Sequence, residues 1–294
     1  MSVSTFVLGG KRARYGAAAA ATLALLVAIP GSAQAATAVG LGTADSFVVL
    51  AGAVITNTGP STLNGDLGTY PTTTITGTGS ITVTGTNHAG DAVTRGAQTD
   101  LTTAYGTAAG EGPTLPIVAD LAGQTLTPGV YNSASSLGLS GELTLNGGGD
   151  PNAVFVFQAG STLTTASGSL VTLINGTQAC NVFWQVGSSA TLGTGSTFRG
   201  TIMSMESITV TTGVTIQGRV LARSGAVTLD TDTITKPTCA AAQVTGVPSG
   251  AVGSGDGSTS GGISNVAYVV AGALALAGFG GAAVLAVRRR RQDA

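Results

Sequence analysis

This chain of 294 residues predicts a mostly β domain, wound as successive short coils with one helix laid alongside. Three observations lead there. First, a phrase with an aliphatic residue between threonines recurs: Thr162-Leu163-Thr164-Thr165, Thr191-Leu192-Gly193-Thr194, Thr209-Val210-Thr211-Thr212 and Thr228-Leu229-Asp230-Thr231. The last two steps are 18 and 19 residues long, whereas the first is longer and requires an insertion. Such a period is the mark of coils too small to bury their own apolar face, each covered by the next. Second, most of the remaining sequence reads as short strands broken by Gly, Asn and Pro. Third, one segment alone carries a helical period.

In chain order, Phe47-Val48-Val49-Leu50, Ile55, Leu63, Ile75, Ile81 and Val83 give short strands. From Asp91 to Ala109 the period becomes three and four, through Val93, Ala97, Leu101, Ala104, Tyr105 and Ala108, with Asp91 as N-cap and Gly110 as the stop. So narrow an apolar stripe belongs along a sheet. Strands resume at Leu126 to Tyr131 and continue through Leu143-Thr144-Leu145, Val154 to Phe157, Val171 to Ile174 and Val182 to Val186. The fully apolar runs predict strands buried on both sides, between the coil interior and the helix, and the threonine-rich ones predict an open outer face. Leu163, Leu192, Val210 and Leu229 are then inward residues.

The two ends read differently. Residues 1–35 form an export signal: Lys11, Arg12 and Arg14, then an apolar stretch to Pro30, then Ala33-Gln34-Ala35 before Ala36. Residues 240–262 are a Gly/Ser-rich tether. Ile263 to Val287 is an uncharged run of 25 residues, long enough for a tilted membrane span at about 37 Å. Residues 288–294 open with Arg288 to Arg291 and are assigned to the cytoplasm, which puts residues 36–239 on the outer face of the cell envelope. The arrangement resembles a cell-wall sorting signal without its Leu-Pro-x-Thr-Gly motif, so membrane retention is expected over wall attachment. The partner at this end is the cell membrane.

Residues 36–239 carry five basic and eleven acidic side chains, a net of −6, which argues against a nucleic-acid partner. The only cysteines, Cys180 and Cys239, fall in the exported part and are expected to pair. Closing that loop would contribute roughly 4 kcal/mol through the unfolded state.

Catalysis and metal binding find little material. His88 is the only histidine, and it has no second imidazole or thiol for a metal. Asp230 and Asp232, two apart on a strand and one coil after Arg219 and Arg223, are the best enzymatic constellation. Two carboxylates beside a terminal coil read more simply as a solvated edge that discourages strand pairing. The expectation is a monomeric, non-enzymatic domain without cofactor.

Several longer motifs carry a family resemblance. Asp100-Leu101-Thr102-Thr103-Ala104-Tyr105, Leu126-Thr127-Pro128-Gly129-Val130-Tyr131, Gly149-Asp150-Pro151-Asn152-Ala153-Val154-Phe155-Val156-Phe157-Gln158, Asn181-Val182-Phe183-Trp184-Gln185-Val186-Gly187, Phe198-Arg199-Gly200-Thr201-Ile202 and Gly218-Arg219-Val220-Leu221-Ala222 stand in the order seen in bacterial and fungal ice-binding proteins. That resemblance implies an irregular right-handed β-solenoid of triangular section, one long helix against a side, and ice as the partner. Some members carry Thr-Ala/Gly-x-Thr/Asn on the ice-facing side. Thr194-Gly195-Ser196-Thr197 and Thr212-Gly213-Val214-Thr215 match it, Thr165-Ala166-Ser167-Gly168 matches in part, and Thr231-Asp232-Thr233-Ile234 departs from it. Thr165, Thr194, Thr197, Thr212, Thr215, Thr231 and Thr233 are therefore the candidate ice-binding residues. The column of Thr162, Thr191, Thr209 and Thr228, or the Thr72–Thr86 stretch, is the rival. A cell-surface adhesin using the same face on carbohydrate or a neighbouring cell is the alternative function.

Overall fold

Period-two alternation becomes a stack of parallel coils whose strands line up as three faces. The third runs through Thr125–Leu126, Glu142–Asn146, Leu170–Ile174, the N-terminal halves of Thr197–Ser204 and Thr215–Ala222, then Thr233–Thr235, Ser61–Asn64 and Ile81–Val83. The structure, a computed structural model, describes residues 36–239. The expected export signal, tether, membrane span and basic tail lie outside those residues. Among the described residues no helix is long and apolar enough to cross a membrane.

The first face lines up Thr114–Pro116, Gly129–Ser133, Phe155–Ala159, Val182–Val186, the C-terminal halves of Thr197–Ser204 and Thr215–Ala222, then Phe47–Ala51, Asp66–Thr69 and Asn87–Ala89. The N-terminal coils thus sit on the last coil of the chain, with Val49 opposite Val220, Ile55 opposite Val227 and Thr62 opposite Thr233. That order leaves Asn87–Ala89 and Thr114–Pro116 at opposite edges of nine strands, about 38 Å apart. The helix α1 (Ala92–Gly110), about 28 Å long, carries the chain back between them.

The central strands Phe47–Ala51, Phe155–Ala159 and Val182–Val186 of the first face are buried on both sides, as their apolar runs predict. One side fills the coil interior. There Tyr131, Phe157 and Trp184 stack in series, with ring centroids 5.5 and 4.0 Å apart, Phe198 lies tilted against Trp184 at 5.0 Å, and the Trp184 indole N–H donates to the Arg199 carbonyl at 3.0 Å. The other side meets α1: Leu50, Val130, Val156, Phe183, Met203 and Leu221 pack with Ala97, Leu101, Ala104, Tyr105 and Ala108. Polar side chains in that seam fix the docking. Gln158 Nε2 donates to the Ala108 and Glu111 carbonyls at 2.8 and 3.0 Å, satisfying the helix end, and Gln185 donates to the Tyr105 hydroxyl at 2.7 Å. Asp91 accepts from the Thr94 N–H at 2.9 Å as the predicted N-cap, and that bond with the one to His88 holds its carboxyl down at about 2.

Three expectations are corrected. Val93 is 45% exposed, and Thr94 takes its place in the stripe because it faces the Asp91 cap and the strand edge beneath. Gly110 is the last residue of the helix, with Glu111 as its C-cap. The threonine phrase aligns two residues away from its apparent position: Leu163 pairs with Ala190 and Thr164 with Thr191, so Thr164 and not Thr162 belongs to the column. The predicted insertion lies after Ile174, at the left-handed Asn175 and the short 3-10 turn Ala179–Asn181. In the later coils Thr197–Ser204 and Thr215–Ala222 run unbroken through the same corner.

Cys180 and Cys239 form the expected disulfide across 59 residues, at that corner. Beside it Arg219, 2% exposed, donates to the Asp45 carbonyl at 3.0 Å and to its carboxylate at 2.5 Å, pinning the start of the chain onto a late strand.

Candidate functional site

Opposite the corner with the disulfide lies the second face, a separate sheet of seven parallel strands: Leu137–Leu139, Leu163–Thr165, Ala190–Leu192, Ile208–Val210, Val227–Asp230, Ile55–Thr58 and Ile75–Thr76. Strand alternation sends Leu163, Ala190, Ile208, Val227 and Ile55 into the core, each at most 1% exposed. The residue after each faces out. Register therefore aligns Thr164, Thr191, Thr209, Thr228, Thr56 and Thr76 in one ladder of six, with Gly138 at its end. Four of these threonines are exposed, while Thr209 and Thr228, between neighbours, are half-buried. Rungs follow the coil rise of about 4.8 Å, and β-branching keeps each χ1 stiff. The column carries no charge. Acids stand at its rims with their oxygens already engaged: Asp230 accepts from the Thr212 hydroxyl at 2.6 Å, and Glu206 accepts from Ser188 at 3.0 Å.

The sequence-predicted residues do not lie on one plane. Thr194 and Thr212 are exposed at the corner between the second and third faces, each followed by a left-handed glycine, Gly195 (φ +66) and Gly213 (φ +75). Thr197, Thr215 and Thr233 begin the third face, in register with one another. The Thr-Gly-x-Thr motif is thus the turn itself, with one threonine on each side of it. Thr165 is a correction: it is 3% exposed and opposes the inward Leu192 row, and its hydroxyl accepts from the Gly193 N–H at 2.9 Å. Thr231 is another. It stands where the neighbouring coils have Gly195 and Gly213, with φ +60, and Asp230 takes the position opposite Thr212. The rival column is present once Thr164 replaces Thr162. Thr56 and Thr76 were missed as its members, although Ile55-Thr56 and Ile75-Thr76 repeat the same inward–outward pair.

A left-handed backbone costs a β-branched residue about 1–2 kcal/mol, and glycine there gives back part of that gain as unfolded-chain entropy. Thr231→Gly is therefore expected to stabilise the fold by about 0.5–1 kcal/mol, read as a higher urea midpoint; an unchanged or lower midpoint would show that the turn is not strained.

Asp230 and Asp232 are not a solvated edge, nor do they share a face. Asp230 ends a strand of the second face, whereas Asp232 is 1% exposed inside the corner. Its carboxylate accepts from the Val214 and Asp230 N–H groups at 2.9 and 2.8 Å, and the Ser61 hydroxyl accepts from its own N–H at 3.0 Å. It thereby joins the last coil to the N-terminal ones. Burial, with the Asp230 charge adding to it, pushes its carboxyl up to about 7, against the two N–H bonds. The unfolded chain releases this proton near pH 4 and the folded one near 7, so within that window the native state holds more protons. Stability from this group is full below about pH 4, falls as pH rises to about 7, and is level above. The carboxyls held low at Asp91, Asp100 and Asp120 act below that window. Urea midpoints measured from pH 4 to 8 should decline and then flatten, and Asp232→Asn should remove most of the slope.

The chain is thus a mostly β protein of parallel coils with one docked helix and a threonine ladder on its seven-stranded sheet. A family model described as Ice-binding-like matches residues 49–235, and the chain belongs to that family. It is 53% identical over 196 residues to an ice-binding protein of Nostoc sp. (strain HG1), covering 66% of this chain and 72% of that one. It is 37% identical over 220 residues to an ice-binding protein of Colwellia sp., covering 68% and 85%. Among solved structures, an ice-binding protein from an Antarctic biological consortium superimposes with a TM-score of 0.69 at 45% identity, over 71% of this chain and 96% of that one. That of the Antarctic ascomycete Antarctomyces psychrotrophicus gives 0.67 at 42% identity, over 69% and 100%.

Proposed function

We propose that this protein adsorbs to ice, and that the seven-stranded face does so through Thr56, Thr76, Thr164, Thr191, Thr209 and Thr228. The in-register ladder on a rigid, uncharged surface is the observation that carries this reading. Threonine methyls favour cage-like water and the hydroxyls hold that layer by hydrogen bonds. Little side-chain entropy is lost on adsorption because χ1 is already fixed. Strand spacings of about 4.8 Å between coils and 6.6 Å along a strand are comparable to oxygen spacings in ice. Asp230 and Glu206, each bonded to a neighbouring hydroxyl, keep their charge at the rims.

The reading extends to a right-handed, triangular solenoid held at the outer face of the cell envelope by residues 240–294. Val39, Leu41, Cys180, Pro237 and Cys239 border one cavity of about 600 Å³, so both described ends of the chain meet at the corner opposite the ladder. A chain anchored there leaves the threonine face free. Purified protein should shape ice crystals, slow recrystallisation, give thermal hysteresis and partition into growing ice. Folded protein that does none of these at high micromolar concentration would overturn the proposal.

A further inference from the structure

We propose that the third face carries a second ice-adsorbing ladder, and that the ice planes taken by the two faces share one lattice row. This rests on the ice-adsorption reading above. Register aligns Thr197, Thr215, Thr233, Thr62 and Thr82 across five successive coils of the third face, with Leu170 continuing the row. Thr215, Thr233 and Thr82 are exposed, and Thr197 and Thr62 are half-buried. The platform beneath is as stiff as on the second face: Phe198, Ile216, Ile234 and Leu63, the next residues inward, are at most 1% exposed.

Two charges belong to this face and are engaged with neighbouring side chains: Glu142, exposed, continues the row beyond Leu170, and Arg199 stands two residues along from Thr197. Arg199 donates to the Gln217 side-chain Oε1 at 2.5 Å, and Lys236 lies 3.8 Å from the Asp45 carboxylate. Glu142 accepts from Thr172 at 2.6 Å. The corner does not interrupt the hydroxyl array, since Thr194 and Thr212 stand on it and Thr194 Oγ1 lies 3.2 Å from Thr211 Oγ1.

Geometry gives the second half of the proposal. Both ladders are built from the same coils, so both have the same rise of about 4.8 Å and both run parallel to the stacking axis. A lattice row that matches one matches the other. The faces differ only by rotation about that axis at the corner. Planes bound through the two ladders must therefore belong to one zone, each containing the row that lies along the axis.

The test is to grow single-crystal ice hemispheres in fluorescently labelled protein and to map which planes take up label. Wild type should mark two sets of planes that share one lattice row. Thr191→Tyr, on the second face, should erase one set, and Thr215→Tyr or Thr233→Tyr should erase the other. The Thr191→Tyr/Thr215→Tyr double variant should mark none, with thermal melts showing each variant folded. A pattern unchanged in both Thr215→Tyr and Thr233→Tyr would overturn the second ladder while leaving the first intact. Two sets without a common row would overturn the shared-axis argument. No labelled plane in wild type would overturn ice adsorption itself.

Discussion

Replacing Thr191 by tyrosine is expected to remove most of the thermal hysteresis while leaving the melting temperature nearly unchanged. Thr191 is exposed, and it stands between Thr164 and Thr209 in the ladder of the second face. Its inward neighbours Ala190 and Leu192 are at most 1% exposed and are untouched by the substitution. An exposed exchange of this kind usually stays within about 0.5 kcal/mol. The phenol ring would stand several ångströms proud of the threonine plane, and a rigid crystal cannot close over it. Activity that remains should come from the third face. The control lies one coil away and one residue inward: Val210, fully buried, contacts no ice. Val210→Ala should lower stability by about 1–3 kcal/mol through lost burial, with hysteresis per folded molecule retained. Hysteresis measured at matched folded concentration separates the two. Full activity in Thr191→Tyr would remove the second face from the site.

Much of this fold was legible because its signals are local. The unbroken run Val182–Val186 against the alternating Ile208–Val210 separates a strand covered by the helix from one open to solvent. Asp91 and the three-and-four spacing mark the helix without any partner. The 18-residue step between Thr191 and Thr209 is a true register, since those residues pair. Register across an insertion is another matter. Between Thr164 and Thr191 the corner at Asn175 absorbs extra residues, and the repeated Thr-Leu then offers two alignments that differ by two. Both keep Leu163 inward, so alternation cannot choose between them.

The site was harder to read than the fold, for a related reason. Thr-Gly-x-Thr looks like one surface when it is written along the chain, yet the left-handed Gly195 and Gly213 turn the backbone between its two threonines. Thr165 matched the motif by letter and is buried by phase. Thr56 lies more than 150 residues before its neighbour Thr228, and Thr76 pairs in turn with Thr56. Only the return of the last coil onto the first ones brings them into its row, and that pairing has no local sequence signal.

The severest loss of stability is expected from one added methyl group, in Gly218→Ala. Thr197–Ser204 and Thr215–Ala222 each bend from the third face to the first without a break, and Gly200 pairs with Gly218 at the bend. Gly200 is left-handed there, at φ +106, which turns its carbonyl toward the next coil. A Cβ on Gly218 would lie 1.8 Å from that oxygen and 2.7 Å from the carbonyl carbon. No rotamer relieves this, because both partners are backbone. Relief requires the two coils to separate, and their rungs of hydrogen bonds and the tilted Trp184–Phe198 contact lie on either side of the bend. The expected cost is about 3–5 kcal/mol, at the upper end for a single substitution. Gly213→Ala is the matched comparison: nothing lies within 4 Å of its Cβ, so only the left-handed conformation at φ +75 is penalised, by about 1 kcal/mol. Urea midpoints of the two variants measure the difference directly. Because the bend carries both threonine ladders on its coils, Gly218→Ala should lose hysteresis along with its fold, whereas Gly213→Ala should keep most of it. Equal midpoints would show that the coils have room to spare at this corner, and that close backbone approach is not what sets their spacing.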